Sequence, residues 1–383
     1  MKKLAIITTH PIQYYAPVFK LLAKQVELKV FYSGGEQLVN QFDRGFKKQI
    51  IWDISLLDGY NYEFLTNTAK HPGSHHFKGI INPNGIGQIN AFHPDRILIY
   101  GWSYHSHYKL IRHYKGRIPL FFRGDSTLLD SSSSVKSLLK TIFLKFLYKH
   151  IDAAFYVGQA NKAYFKAYGL KENQLIFAPH AIDNSRFSEN REIEALSIRE
   201  KMNIPINDIL ILFAGKLEPK KNPQMLLNAF AELNLPHTHL LFVGNGILEQ
   251  ELKDITLDFN MTDKVYFLDF QNQTKMPGIY QSCDIFCLPS KGPGETWGLA
   301  INEAMASAKA ILVSDKVGCA IDLVNSENGA IFNSNNIEDL KQKLIALSTK
   351  KTTLKMMGKN ASNHIQDWSF DNQVTAIAHY VNR

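Results

Sequence analysis

The sequence predicts an α/β protein with two Rossmann-like domains. Short apolar runs, typical of buried parallel strands, alternate with helical segments along most of the chain. A length of 383 residues suits two domains of about 150 to 200 residues each. With 45% hydrophobic and 20% charged residues, the composition is that of a globular protein rather than a disordered one.

Six apolar runs in the first half of the sequence predict the strands of a first sheet. Their positions are 4–8, 28–32, 96–100, 118–122, 153–157 and 175–178. Helices are predicted at about 15–24, 135–150 and 160–168. We expect the aromatic and charged stretch 33–60 to be mostly loop, which either packs on the sheet edge or shapes a binding pocket.

Polar residues directly follow two of these strands. Parallel sheets bind ligands at the carboxyl ends of their strands, so these residues are candidates for a binding site. His10 follows the first strand, with an ordinary turn histidine as the alternative. Arg123 and Asp125 follow the fourth strand, and a structural Arg–Asp pair is the alternative to contacts with a ligand.

The helix predicted at 135–150 is basic and amphipathic. Apolar residues fill much of it, and its lysines are Lys136, Lys140, Lys145 and Lys149. The pattern leaves two interpretations open. It is either a core helix with solvated lysines or a helix that docks on a membrane surface.

The second half of the sequence repeats the alternation of strands and helices. Strands are predicted at 209–213, 239–243, 265–268, 285–288 and 310–313. Helices are predicted at 192–202, 299–307 and 368–381. A further helix is predicted to end at 233, and another to begin at 248. Lys216 and Lys221 follow the first of these strands, and the Gly244-Asn245-Gly246 turn follows the second. Leu268 ends the third.

The stretch from 284 to 324 organises this second half. A strand, a glycine-bearing loop, a helix and a strand follow one another, which predicts a βαβ unit with its loop at the ligand-binding edge. Glu295 lies in the loop, and Glu303 lies on the helix about two turns further on. A carboxylate at Glu303 suits a pair of vicinal hydroxyls. Ordinary capping and surface roles for both glutamates are the alternative.

The segment E-T-W-G-L-A-I-N-E-A-M-A-S-A resembles the EX7E segment of retaining glycosyltransferases of family 4. The L-P-S strand end before it and the apolar strand after it match that family as well. The family usually has Gly-x-Pro between helix and strand, where this chain has Ala308-Lys309-Ala310. The resemblance implies the GT-B fold, in which two Rossmann-like domains face each other across a cleft.

The same resemblance implies the function and the roles of the site residues. It implies metal-independent transfer of a sugar, with retention, from a nucleotide-sugar donor to a glycan or lipid-linked acceptor in cell-surface polysaccharide synthesis. No cofactor and no metal are expected. The implied catalytic residues are Glu295, Lys216, Lys221, Asp125 and His10. The implied donor-binding residues are Glu303 for the ribose, with Thr296, Trp297, Gly298, Leu299, Gly244, Gly246, Leu268 and Arg123.

The expected domains are 1–185 on the acceptor side, completed by a helix at 368–383, and 205–367 on the donor side, with 186–204 as linker. A nucleotide-sugar epimerase of the same fold and a non-catalytic sugar-nucleotide-binding protein are the alternative functions. The latter would be expected to carry an export signal, and the apolar run at the start is too short for one.

Charge and cysteine usage suggest where the protein works. The net charge of +8 favours an anionic partner, but no nucleic-acid-binding motif is present, so we expect none to bind. The three cysteines form no metal-binding spacing with histidines and suggest no disulfide framework. We therefore expect a cytoplasmic protein, with weak contact to the anionic inner membrane as the alternative to a fully cytoplasmic one.

Overall fold

The computed structural model describes residues 1–39, 42–43, 45–46, 48–130 and 135–383. The chain forms two compact units. Unit 1 comprises Met1–Gln41, Ile54–His180 and Phe370–Arg383, and unit 2 comprises Phe42–Asp53 and Ala181–Ser369. Each unit is built on a parallel sheet with helices, so the predicted α/β class with two Rossmann-like domains is confirmed. The predicted cleft between the domains stays a prediction.

The strands of the described residues are numbered in chain order. They are β1 (Lys3–Thr8), β2 (Glu27–Tyr32), β3 (Phe42–Asp43), β4 (Lys48–Gln49), β5 (Asn61–Phe64), β6 (Arg96–Tyr100), β7 (Leu120–Arg123), β8 (Ala153–Tyr156), β9 (Leu175–Phe177), β10 (Ile209–Ala214), β11 (Thr238–Val243), β12 (Val265–Leu268), β13 (Ile285–Leu288), β14 (Ala310–Ser314) and β15 (Gly329–Phe332).

The α-helices connect these strands. They are α1 (Ala16–Leu22), α2 (Gly85–Ala91), α3 (His105–Tyr114), α4 (Val135–Tyr148), α5 (Gln159–Ala167), α6 (Asn184–Ser188), α7 (Glu192–Lys201), α8 (Pro223–Leu233), α9 (Glu249–Asp258), α10 (Met276–Ser282), α11 (Leu299–Ala306), α12 (Ala320–Leu323), α13 (Ile337–Leu347), α14 (Lys351–His364) and α15 (Phe370–Asn382).

The sheet of unit 1 has seven parallel strands in the order β5-β2-β1-β6-β7-β8-β9. Its central strand β1 is buried on both faces. Leu4 and Ile6 pack into one apolar cluster, and Ala5 and Ile7 pack into the other, because successive side chains of a strand point to opposite faces. The first cluster also receives α15, so the last helix of the chain completes the core of unit 1.

The sheet of unit 2 has six parallel strands in the order β12-β11-β10-β13-β14-β15. Every residue of β10, β11, β13 and β14 is buried, as expected for strands covered by helices on both faces. In both sheets the strand order reverses direction once, between β1 and β6 in unit 1 and between β10 and β13 in unit 2. Ligands of such folds bind outside the carboxyl ends of the strands at this switch point.

The units are divided differently from the predicted domains. Residues 181–185, expected in the first domain, and residues 186–204, expected as a linker, lie in unit 2, where α7 packs on α10. The short antiparallel hairpin of β3 and β4 also lies in unit 2, although unit 1 surrounds it in the sequence. The predicted domain boundaries themselves stay a prediction.

Two helical glycines allow a matched test of the packing. A Cβ at Gly358 in α14 would lie 2.0 Å from the carbonyl oxygen of Ala308, whereas no heavy atom lies within 4 Å of a Cβ at Gly87 in α2. We expect Gly87→Ala to stabilise the fold by roughly 0.5–1 kcal/mol, since alanine favours helices. Gly358→Ala should destabilise it by roughly 1–3 kcal/mol through the clash. Thermal unfolding of both variants measures this, and a raised midpoint for Gly358→Ala would contradict the packing described.

Candidate active site

The loops after β10 and β13 meet at the switch point of the sheet in unit 2. The loop after β10 leads through Lys216 to Lys221, and the loop after β13 leads from Ser290 to Glu295. A hydrogen bond from the amide of Lys291 to the carbonyl of Lys220, 2.9 Å long, joins the two loops. The parallel order of the strands therefore brings together residues that are about 75 positions apart in the sequence.

Glu295 lies at the centre of this arrangement in a buried ion pair. The residue is 7% exposed. Lys221 Nζ lies 2.5 Å from Glu295 Oε2, and the hydroxyl of Ser290 donates to the same oxygen over 3.0 Å. Ser290 is held in turn by the Ser314 hydroxyl, which donates to its carbonyl oxygen. The charge of Glu295 is thus matched by one cation and one neutral donor.

Two glycines allow the loop around Glu295 to lie directly on the next loop. Gly298 has a φ of +98°, which suits glycine, and a Cβ there would lie 2.7 Å from Val317 Cγ1. A Cβ at Gly318 would lie 1.8 Å from the carbonyl oxygen of Thr296. Because glycine has no side chain, the two loops approach closely enough for the amide of Gly318 to donate to the carbonyl of Glu295 over 3.1 Å. This hydrogen bond fixes the backbone at Glu295 against the loop after β14.

The second glutamate of the motif lies on α11, which begins at Leu299. Glu303 is 4% exposed and accepts a hydrogen bond from the hydroxyl of Tyr280, 2.7 Å long. The neighbouring Trp297 is also buried, and its Nε1 donates to Asn302 Oδ1 over 2.9 Å. Neither Glu295 nor Glu303 is a surface group, so that part of the alternative interpretation is wrong.

The structure places the two predicted lysines in different surroundings. Lys221 pairs with Glu295, whereas Lys216 extends over the β3–β4 hairpin, where its Nζ lies 5.1 Å from the centre of the Phe46 ring. Phe46 also packs edge-on against Phe270, with 4.9 Å between ring centres. The expected shared role of the two lysines at a leaving diphosphate stays a prediction.

Close backbone packing explains why glycines occupy the turn after β11. A Cβ at Gly244 would lie 2.2 Å from the carbonyl oxygen of Gly215, and one at Gly246 would lie 2.2 Å from that of Leu217. The turn thus packs against the loop after β10. The carbonyl of Leu268 accepts a hydrogen bond from the Gly244 amide over 2.9 Å. The predicted donor-binding roles of Gly244, Gly246 and Leu268 stay predictions.

Unit 1 has a cavity of about 210 Å³ at its own switch point. The ends of β1, β6 and β7 line it, including Asp125. Arg123 also lines it, but this residue is 2% exposed and its guanidinium donates to the carbonyls of Ala178 at 2.8 Å and Pro179 at 3.0 Å. These bonds tie the end of β7 to the segment after β9. Arg123 was expected after this strand but is the last residue of β7, where its buried guanidinium is satisfied by the two carbonyls.

Two histidines lie near this edge of unit 1, and only one was predicted. His10 is half-buried, its Nδ1 lies 2.9 Å from Thr9 Oγ1, and burial lowers its pKa. His180 lines the cavity, and burial, together with the charge of Arg123, lowers its pKa to about 3. His180 is therefore neutral near pH 7. Its position directly after the last strand of the sheet is the signal that could have identified it.

Metal-binding and membrane-spanning features were sought in the described residues. They contain no group of three or more histidine, cysteine, aspartate or glutamate side chains that could hold a metal ion. None of their helices is long and apolar enough to cross a membrane.

The region around the switch point of unit 2 matches a known family. Residues 195–364 match the family model described as glycosyl transferases group 1. We call residues 195–364 the group 1 region. This group 1 region includes both glutamates, Lys221 and Ser290.

Curated relatives of the chain are similar over about half of its length. A D-inositol 3-phosphate glycosyltransferase of Rhodococcus erythropolis is 26% identical over 226 residues, which are 56% of this chain and 50% of the relative. That of Gordonia bronchialis is 26% identical over 190 residues, 47% of this chain and 41% of the relative. The chain thus spans about half the length of the curated relatives it matches.

Solved structures resemble the whole chain, including the part outside the group 1 region. Anabaena HepE in complex with UDP and glucose has a TM-score of 0.75 at 16% identity, covering 100% of both chains. WaaG, a glycosyltransferase involved in lipopolysaccharide biosynthesis, has a TM-score of 0.69 at 14% identity, covering 99% of both. This likeness shows a common fold of two Rossmann-like domains.

Proposed function

We propose that this protein is a retaining, metal-independent glycosyltransferase that moves a sugar from a nucleotide-sugar donor to a glycan or lipid-linked acceptor of a cell-surface polysaccharide. The observation that carries the proposal is the buried pair of Lys221 and Glu295 at the switch point of the group 1 region. The solved relative HepE holds UDP, and UDP-glucose in another of its structures, which supports a nucleotide-sugar donor.

The ion pair supplies both charges that such a transfer needs. When the donor binds, its diphosphate competes with Glu295 for Lys221, because both are anions within reach of one ammonium group. Glu295 is then free to accept hydrogen bonds from the hydroxyls of the sugar. As the bond between sugar and diphosphate breaks, negative charge grows on the leaving group, and a fixed cation stabilises that charge without a metal ion. Attack by the acceptor on the face that the diphosphate leaves would retain the configuration.

Glu303 suits the ribose of the donor. The Tyr280 hydroxyl donates to one oxygen of its carboxylate. The two oxygens of a carboxylate can accept hydrogen bonds from a pair of vicinal hydroxyls, such as those of a ribose. The Tyr280 hydrogen bond also fixes the orientation of the carboxylate, which removes part of the entropy cost of binding the diol.

The helix α4 supports contact with an anionic membrane, which would bring the enzyme to a lipid-linked acceptor. Its inner face is buried through Leu144, Leu147 and Tyr148. An apolar stripe on the opposite face is exposed, and its members are Val135 (76%), Leu138 (61%), Leu139 (63%), Ile142 (60%) and Phe146 (49%). These residues recur at helical spacing and so share one face.

The lysines of α4 and of the residue after it fit the same contact, and Lys136, Lys140, Lys145 and Lys149 are all exposed. At 100° per residue, Lys136 and Lys140 lie on one side of the apolar stripe and Lys145 lies on the other, while Lys149 directly follows the end of the helix. An exposed apolar stripe flanked by lysines is typical of helices that lie in a membrane interface. Each lysine near an anionic surface contributes about 1 kcal/mol to binding. The core-helix interpretation explains only the buried face.

Incubation with nucleotide sugars in EDTA tests the proposed reaction. We expect slow hydrolysis of one donor without acceptor, and transfer with unchanged anomeric configuration when a matching acceptor is present. Inversion at C2 of the donor sugar would identify an epimerase instead, and binding without turnover would identify a binding protein. Activity that is lost in EDTA and restored by Mg²⁺ would contradict the metal-independent mechanism.

Two neighbouring lysines provide a matched test of the ion pair. We expect Lys221→Ala to lower kcat by roughly 100- to 1000-fold, with a smaller change in KM, since the charge acts mainly in the transition state. Lys220→Ala is the control, because Lys220 is half-exposed and pairs with Glu218. Steady-state kinetics of both variants measure the difference. A Lys221→Ala enzyme with raised KM and unchanged kcat would limit the lysine to donor binding.

The ribose role of Glu303 is tested by calorimetry with UDP. We expect Glu303→Gln to weaken binding by roughly 1.5–3 kcal/mol, the value of a hydrogen bond to a charged group. Tyr280→Phe removes the internal hydrogen bond but keeps the carboxylate, so it should lose much less affinity. Equal losses in the two variants would show that the effect is structural.

Membrane contact is tested by sedimentation with vesicles that contain an anionic lipid. We expect binding at low salt, release at high salt, and loss of binding when Lys136, Lys140, Lys145 and Lys149 are replaced by glutamine. The control replaces four other exposed lysines of unit 1, Lys24, Lys70, Lys78 and Lys171, with the same change of net charge. Replacing Leu139 and Ile142 by glutamine tests the apolar contribution. Equal binding by both lysine variants would mean that α4 is not the contact.

A further inference from the structure

Unit 2 has a polar cavity of its own, at the edge of its sheet opposite to the candidate active site. The cavity has a volume of about 550 Å³ and includes Asp284, directly before β13, and Lys309, directly before β14. The amino ends of parallel strands share one edge of a sheet, whereas Ser290 and Glu295 follow the carboxyl end of β13. The cavity is therefore separate from the residues proposed to bind the donor.

The charges that line this cavity are mostly positive. Four cations line it, together with two carboxylates, a formal excess of two positive charges: Arg199, Lys309, Lys351 and Lys355 against Glu192 and Asp284. Asp284 is already matched, since one of its oxygens lies 3.3 Å from Arg199 and the other lies 3.3 Å from Lys351. Asp284 with Arg199 and Lys351 therefore still carries a formal charge of +1, and Lys309 and Lys355 add to it.

Lys309 is the more buried of the two cations that form no ion pair with a carboxylate of the described residues. Its Nζ donates to the carbonyl of Gln281 over 3.0 Å, and no carboxylate of the described residues pairs with it within 4.0 Å. Burial lowers the pKa of Lys309, the nearby Cys283 and Asp284 act against this, and the charges of Arg199 and Lys355 lower it further. An ammonium group has three donors, so a single carbonyl leaves it incompletely bonded.

Arg199 supplies a fixed positive charge in the wall of the cavity. It is 5% exposed, and its terminal nitrogens donate to the carbonyls of Ser282, Pro205 and Asp208. These hydrogen bonds hold the guanidinium in place, so its contribution to a ligand is its charge and not a hydrogen bond.

We propose that this cavity binds a phosphate group, either free phosphate or a small phosphomonoester. A phosphomonoester carries a charge of about −1.5 to −2 at pH 7, which matches the excess of two positive charges. It also offers three strong acceptor oxygens to the ammonium donors of Lys309 and Lys355. The apolar side chains of Leu196, Ile206 and Leu354 line the same cavity and could cover the carbon skeleton of an ester. The site does not depend on the proposed sugar transfer.

Calorimetry of the full chain with inorganic phosphate and with glucose 6-phosphate tests the site. We expect saturable binding that Lys309→Gln weakens at least roughly tenfold, as for a charged hydrogen bond. Lys355→Gln should weaken it roughly threefold, since the side chain is exposed. Lys359→Gln is the control, because Lys359 is exposed one turn away on α14 but does not line the cavity. Tighter binding of glucose 6-phosphate would identify an ester as the ligand, and equal binding would identify free phosphate.

Three results would overturn this site. The first is the absence of saturable binding of either probe by the wild-type chain. The second is equal weakening by Lys355→Gln and Lys359→Gln, which would show diffuse attraction to surface charge. The third is wild-type affinity in Lys355→Gln and Lys309→Gln, which would place the anion elsewhere. Because Lys355 is exposed, its variant remains informative even if Lys309→Gln folds poorly.

Discussion

The burial of two parallel sheets on both faces is the constraint on which the rest of the molecule depends. The four central strands of unit 2 consist entirely of buried residues, so they have no room for polar side chains that lack a partner. Charged groups must therefore gather beyond the strand ends. At the carboxyl edge they include Glu295 and Lys221, and at the amino edge they include Asp284 and Arg199. The two edges carry different functions in our proposals because the same apolar sheet separates them.

The ion pair at the carboxyl edge is better explained by its availability to a charged ligand than by a contribution to stability. Removing two charges from water costs several kcal/mol per ion, and their attraction often only balances that cost. A protein that needed stability alone would do as well with apolar residues at these positions. Lys221 and Glu295 instead keep an ammonium and a carboxylate available for an incoming ligand, while Ser290 orients the carboxylate and two glycines let the neighbouring loops pack closely.

The sequence predicted those parts of the fold in which local pattern and final environment agree. Strands such as β6, β12 and β13 are found at the predicted residues. The strands β5 and β15 were missed because their sequences lack a continuous run of large apolar residues: β5 contains Asn61 and Glu63, and β15 begins with Gly329 and Ala330. The edge strand β12 has such a run and was recognised, so the local pattern decided and not the position in the sheet.

The candidate site was predictable only in part, for a related reason. The spacing of Glu295 and Glu303 is local, so it could be read from one segment. Their partners Lys221 and Tyr280 come from other elements, and only the first was singled out. The placement of the β3–β4 hairpin in unit 2 rests on contacts such as Phe46 with Phe270, more than 200 residues apart, which no local pattern encodes.

The interleaving of the two units has a consequence for how the chain folds during synthesis. Unit 1 is built from three separate segments, and its core includes α15 at Phe370–Asn382. Ribosomes synthesise proteins from the amino terminus, and domains usually fold in that order. In this chain the first sheet emerges early but lacks its last core helix until unit 2 has been translated. An apolar surface that α15 later covers is therefore exposed throughout that interval, which makes the nascent chain a client for chaperones.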